Sequence, residues 1–450
     1  MRSAESLSRN PQDKKRKKVF VGMSGGVDSS VAAALLKKQG YEVMGVHLKC
    51  FNVDGCAAQD AEDARRAAEH LGIPFYTFDY EKEYKDKVVE YMIDGYKKGI
   101  TPNPDVMCNK EIKFGLFYEK AMALGADYIA TGHYVRIVGN VRGVRNTRSA
   151  SWRRSINPPV GGDRTSNIEL SLAIAKDRNK DQSYFLWTLK PEQLKHCLFP
   201  IGEYKKPQVR KLAVKFGLHN AAKKDSQGIC FLGQVSLPDF LKKYIKPKKG
   251  SVFLAPQNKL VPELVEGLPL VGTHNGAHFY TIGQRHGFAV SSKKLVVSSK
   301  GEMKPHYVVA KDVRSNTITV AQGDDHPALY KKEVILTDMN FLTPVIAIRP
   351  AQQGRGSPCE ARRQPAEKSR SQSDRGSSME SGQSYITVYA RVRYRQPLQK
   401  AKLYTPNSCE LGDKRKYILR FAKPIKFVAE GQSAVFYNKK GVMLGGGIIV

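Results

Sequence analysis

The feature that most constrains this chain is the stretch Ser24-Gly25-Gly26-Val27-Asp28-Ser29-Ser30, set directly after the apolar and β-branched run Val19-Phe20-Val21. Two adjacent glycines let the backbone take positive φ and come close to a ligand. The helix predicted over 28–39 turns its unpaired N–H groups and positive dipole end back toward that loop, which makes a nest for an anion the size of pyrophosphate. No Gly-Lys-Ser/Thr follows, which excludes a Walker A loop, and the glycine spacing is not that of a dinucleotide fingerprint. An ordinary strand-to-helix turn capped by Asp28 and Ser29 is the competing reading.

Strand and helix patterns alternate from residue 18 to about 135. Strands are expected over 19–22, 41–48, 75–78 and 128–131, and helices over 28–39, 60–71, 84–96 and 115–124. Such alternation defines a parallel α/β sheet, with Gly40 and Gly72 placed as helix C′ residues and Pro74 where a helix could not continue. Ligands collect at the carboxyl ends of parallel strands, so the loops after Val21, Leu48 and Thr131 should converge.

Residues 180–241 read as mostly helical, with segments over 191–198 and 207–216. From residue 250 onward short alternating strands separated by Gly, Asn and Pro predict one or two small barrels, with strands over 385–394, 410–421 and 433–437. Two stretches lack periodicity: 139–168, with six arginines and one acid, and 351–384, rich in Gln, Ser, Gly and Arg. Both read as flexible insertions. The expected domains are 18–215, 216–300 with a small β domain, and a barrel over 301–450.

The 450-residue chain carries 74 Lys and Arg against 42 Asp and Glu, a net charge of +32, which points to a polyanionic partner. Seven cysteines, an odd number without a C-x-x-C pair, exclude a secreted disulfide framework and a zinc ribbon of standard spacing. Neither an apolar signal core nor a run of about 18 apolar residues occurs. A cytoplasmic protein without a membrane partner is expected.

Two cysteines stand apart by their surroundings. Cys108 lies in a turn-rich stretch before a helix, with Lys110 and Lys113 near enough to lower a thiol pKa, and Cys230 ends Lys223-Lys224-Asp225-Ser226-Gln227-Gly228-Ile229-Cys230. Two buried, inert thiols are the alternative. Asp105, three residues before Cys108, is either a general acid or base or a helix cap.

The glycine loop resembles the PP-loop of the ATP pyrophosphatase superfamily. Further phrases resemble the tRNA 2-thiouridylase family: Thr101-Pro102-Asn103-Pro104-Asp105, Cys108-Asn109-Lys110-Glu111-Ile112-Lys113-Phe114, Ala130-Thr131-Gly132-His133-Tyr134, Asn179-Lys180-Asp181-Gln182-Ser183 and Asp225-Ser226-Gln227-Gly228-Ile229-Cys230-Phe231. So do Tyr280-Thr281-Ile282-Gly283-Gln284-Arg285, Arg393-Tyr394-Arg395-Gln396 and Gly431-Gln432-Ser433-Ala434.

That resemblance implies sulfur insertion at C2 of wobble uridine 34 in tRNAs for lysine, glutamate and glutamine, driven by ATP with Mg²⁺. Under it Gly22, Met23, Ser24, Gly25, Gly26, Val27, Asp28, Ser29, Leu48 and Gly132 hold ATP. Leu48 stands where the family often has Met. Cys230 carries a persulfide supplied by a cysteine desulfurase or a relay protein, Cys108 is the nucleophile, and the two form a transient disulfide. Asp105 serves as acid or base, and Asn103, Pro104 and Asp105 receive the flipped uridine. His133, Lys180, Asp181, Gln182, Arg393, Tyr394 and Gln432 contact tRNA. Competing expectations are an amidating PP-loop ligase, an iron–sulfur site on Cys108, Cys230 and Asp105, and an RNA chaperone. No standing metal site of the protein's own is expected.

Overall fold

A computed structural model describes residues 16–53, 57–141, 168–225, 232, 235–257, 267–291, 304–342, 385–405 and 416–450. The chain divides into two compact units, Met1–Lys87 with Met107–Val235, and Val88–Val106 with Ser236–Val450.

The first unit is built on a parallel sheet. Strands β1 (Lys18–Gly22), β2 (Glu42–Lys49), β3 (Phe75–Asp79), β4 (Tyr128–Thr131) and β7 (Cys197–Leu198) lie in the order β3-β2-β1-β4-β7. β1 is central and buried on both faces, which is why Val19, Phe20 and Val21 form a continuous apolar run. Helices α1 (Val27–Lys38) and α2 (Ala57–His70) pack Val31, Leu36, Ala64 and Ala68 against it. The expected parallel α/β class is therefore borne out.

Three local differences have physical reasons. Residues 139–141 and 168, expected in an aperiodic insertion, belong to strands β5 (Val135–Val141) and β6 (Ile168–Ile174), which pair antiparallel with Val141 opposite Ile168. The remainder of that insertion lies outside the described residues, as does all of 351–384. The helix expected over 191–198 stops at Leu194, because Cys197 and Leu198 are drawn into the sheet edge opposite Ile129 and Ala130. The helix expected over 115–124 is preceded by a π-helical segment, Cys108–Leu116, before Phe117–Ala123. Such widened turns recur at functional sites.

The second unit is mainly β. Strands β8 (Gly250–Leu254), β9 (Leu270–His274), β10 (Phe288–Val290), β11 (His306–Asp312) and β12 (Thr317–Gln322) form an open sheet in the order β10-β9-β8-β12-β11. Strands β13 (Tyr330–Phe341), β14 (Tyr385–Arg391), β15 (Gln399–Tyr404), β16 (Tyr417–Lys426), β17 (Ser433–Tyr437) and β18 (Met443–Ile449) close into a barrel filled by Leu336, Val388, Leu403, Phe421 and Phe436. Closure removes the sheet edges. The C-terminal barrel expected from the strand spacing is thus present. Among the described residues no helix is long and apolar enough to cross a membrane.

Candidate nucleotide site and the residues around it

Gly22, the last residue of β1, pairs with Val46 of β2 on one side and Thr131 of β4 on the other. All three strands run in parallel, so the loop beginning at Met23, Leu48 near the end of β2, and Gly132 just after β4 reach one edge of the sheet. The sequence-derived nucleotide residues are brought together there. Gly25 has φ of +72°, and a Cβ on it would meet the carbonyl oxygen of Asp60. Gly26 stands at the N-cap of α1, with no side chain capping the helix. The first-turn N–H groups are then left for a ligand. Gly132 passes so near the start of α1 that a side chain there would strike the backbone of Asp28 and Ser29.

A charge cluster surrounds Asp28. Lys206 Nζ donates to Asp28 Oδ1 and Oδ2 at 2.9 and 2.8 Å, and the Tyr134 hydroxyl donates to Oδ1 at 2.8 Å. Lys206 also pairs with Asp225 at 2.7 Å, and Asp225 receives Lys180 at 2.6 Å and Arg210 at 3.1 Å. Burial by itself would raise the Asp225 carboxyl, but hydrogen bonds from Lys180 and Lys206 outweigh it and hold it at about 2. Burial, followed by the Asp28 charge, pushes the Tyr134 phenol far above its usual range, so it remains a hydrogen-bond donor.

Asn220 completes the loop's support. Its Nδ2 donates to the Gly25 carbonyl and to Ser30 Oγ, each at 3.0 Å, while its Oδ1 is buried with no hydrogen-bond partner among the described residues.

Other sequence-derived residues have defined surroundings. His133 is buried beside Phe114 and Phe199, with Nδ1 2.8 Å from Thr131 Oγ1, and burial followed by Lys113 keeps its imidazole neutral. Gln182 and Tyr134 bond twice, through the Gln182 side chain to Tyr134 N and through Gln182 N to the Tyr134 carbonyl. Asp181 is 2% exposed and accepts from Ala175 N, Ser183 N and Ser183 Oγ. Cys108 is a buried thiol opening the π-helical segment. Cys230 lies outside the described residues.

Within the second unit, the segment at 101–105 is tied to the end of the barrel sequence. Gln432 Nε2 donates to the carbonyls of Thr101 and Pro102 at 3.0 and 3.2 Å, and Thr101 N donates to the Glu430 carbonyl. Thr101 Oγ1 donates to Thr281 Oγ1, and Arg393 donates to the Ile282 and Phe427 carbonyls. Asn103 Oδ1 accepts from Val106 N and so caps the short helix carrying Asp105. Tyr394 stacks under the guanidinium of Arg395.

Sequence reasoning passed over Lys206, Asn220 and Tyr134. Tyr134 sits inside a quoted motif, but Lys206 and Asn220 lie 178 and 195 residues from their loop partners and carry no local signal.

The fold is a parallel α/β domain with a glycine loop and a helix N-terminus at one edge of its sheet, followed in the chain by a β-rich unit. Family models agree: the tRNA methyl transferase HUP domain matches residues 17–234, the tRNA methyl transferase PRC-barrel domain 238–322, and the aminomethyltransferase beta-barrel domain 372–449. Of the curated relatives, tRNA-specific 2-thiouridylase MnmA 1 of Geobacillus kaustophilus is 41% identical over 441 residues, covering 97% of this chain and 96% of its own. MnmA of Idiomarina loihiensis is 40% identical, covering 96% of each chain, and MnmA of Christiangramia forsetii is 37% identical, covering 96% of this chain and 100% of its own. The chain belongs to the tRNA-specific 2-thiouridylase family, as its motifs led one to expect.

Proposed function

We propose that this chain is a tRNA sulfurtransferase that uses ATP to replace the C2 oxygen of wobble uridine 34 with sulfur, in tRNAs for lysine, glutamate and glutamine. The observation that carries the reading is 41% identity to a 2-thiouridylase over 97% of this chain, supported by a glycine loop that takes a positive φ at Gly25 just before α1.

A carbonyl oxygen is a poor leaving group. Attack of the C2 oxygen on the α-phosphorus of ATP expels pyrophosphate and converts that oxygen into part of a departing AMP. The amides at Gly25 and Gly26 would hold the phosphates, with Leu48 and Gly132 against the adenosine. Among the described residues no cluster of three or more His, Cys, Asp or Glu is arranged to hold a metal. Mg²⁺ would arrive with ATP, held mainly by phosphates and water.

Sulfur reaches the base from a persulfide on Cys230, loaded by a cysteine desulfurase or relay protein. In one order, Cys108 attacks the Cys230 sulfur, a Cys108–Cys230 disulfide forms, and hydrosulfide leaves to add at C2 as AMP departs. In the other, the persulfide adds first and Cys108 then releases the thiolated base, with the same disulfide. Either way a thiol reductant supplies the two electrons that reopen it, as expected of a cytoplasmic enzyme. Asp105 moves the proton at the base, with Asn103 and Pro104 beside it. His133, Lys180, Asp181, Gln182, Arg393, Tyr394 and Gln432 shape the tRNA-binding surface, directly or by holding the loops that touch RNA.

Mass spectrometry of nucleosides from tRNA incubated with protein, ATP, Mg²⁺ and a persulfide donor tests the reading. 2-Thiouridine should form with the wild-type chain and be absent with Cys108→Ser or Cys230→Ser. Its absence with the wild-type chain, when a parallel thiolation control succeeds, would overturn the proposal.

A further inference from the structure

The ammonium of Lys206 touches three carboxylate oxygens of Asp28 and Asp225 at 2.7 to 2.9 Å, and its side chain is only 11% exposed. An acidic side chain in the first turn of α1 stands beside the amides that would receive phosphates, and an uncompensated carboxylate there would repel them. The neighbourhood contains three cations, Lys206, Lys180 and Arg210, against three anions, Asp28, Asp225 and Asp177, the last accepting from Lys206 N at 2.9 Å. Of the three cations, Lys206 is the one that bridges the Asp28 and Asp225 carboxylates.

A second observation comes from Asn220, which is 4% exposed. Its amide nitrogen holds the Gly25 carbonyl, and thereby the left-handed turn, while its carbonyl oxygen is buried with no hydrogen-bond partner among the described residues. A buried polar atom in that state is costly unless something completes it.

Resting on the ATP-dependent reading above, we infer that Lys206 and Asn220 are positioning residues for the triphosphate. Lys206 neutralises Asp28 so that a phosphate chain can settle at the start of α1, and Asn220 fixes the Gly25 turn that presents the loop amides. Neither residue is required by the adenosine moiety. Their effect should therefore grow with the number of phosphates on the ligand.

The experiment is calorimetric titration of the full chain with ATP, AMP and adenosine. Lys206→Met and the charge-conserving Lys206→Met/Asp225→Asn should each weaken ATP by about tenfold or more, AMP less, and adenosine by under about threefold. Asn220→Ala should follow the same gradient, and Lys206→Arg should restore most ATP affinity. Equal weakening of adenosine and ATP, or ATP affinity kept within about threefold in folded variants, would overturn the inference. So would failure of both Met variants to fold alongside a normal Lys206→Arg, which would make Lys206 a structural counter-ion. A wild-type chain that binds ATP but forms no 2-thiouridine would remove the functional reading and leave this one standing, whereas one that binds no ATP would remove both.

Discussion

A Cβ placed on Gly132 would lie 2.6 Å from the backbone nitrogen of Ser29, so the turn after β4 and the first turn of α1 meet backbone to backbone. The contact leaves no flexible side chain to yield. Gly132→Ala should cost about 1–3 kcal/mol of stability by overpacking, and it should weaken ATP binding more than it lowers the melting temperature would suggest. Chemical denaturation and ATP titration of the same preparation check this. Unchanged values in both would show that the β4–α1 contact does not shape the nucleotide loop.

Asp181 illustrates how a motif residue can serve the fold. Its buried carboxylate satisfies two backbone N–H groups and one hydroxyl, so Asp181→Ala leaves those donors orphaned. A loss of about 1.5–3 kcal/mol is expected. Equilibrium denaturation of the variant measures it, and a variant as stable as the parent would contradict a structural role for these bonds.

The Asp225 carboxyl, held at about 2 against an ordinary 3.8, makes a pH-dependent contribution to stability. A depressed folded-state value means that the unfolded chain takes up the proton first as pH falls. The stabilisation is complete above about pH 4 and drains away between about pH 4 and 2. Asp225→Asn should therefore flatten that acid limb relative to the parent while remaining less stable at neutral pH. Denaturation at stepped pH decides it, and parallel acid limbs would contradict the assignment.

Gln432 acts on the 101–105 segment through two backbone carbonyls. Gln432→Leu should free that segment and lower kcat/KM for tRNA by about tenfold, with ATP affinity unchanged. Steady-state thiolation kinetics and ATP titration separate the two effects. An unchanged kcat/KM would deny the buttress a functional role.

The glycine loop, β1, α1 and the alternating pattern to residue 131 were legible in the sequence because each rests on local chemistry: paired glycines, a buried β-branched strand, C′ glycines. The barrel strand Ser433–Tyr437 was legible for the same reason. The β5–β6 hairpin was not, since Val141 and its partner Ile168 are separated by a long arginine-rich stretch that hides the pairing. Nor was β7, because two residues cannot display a period. Asp28 could be found in the sequence as a motif residue, but the ammonium that neutralises it could not. Lys206 pairs with it only through the tertiary fold, and an isolated lysine at a helix start carries no signal of a buried ion pair.

The central claim is that ATP activates the C2 oxygen itself. tRNA bearing ¹⁸O at C2 of uridine 34 tests it most directly, with the product AMP analysed by mass spectrometry after a single turnover. One ¹⁸O atom per AMP, formed together with 2-thiouridine, is the predicted result. Unlabelled AMP accompanying the same thiolated product would contradict the account.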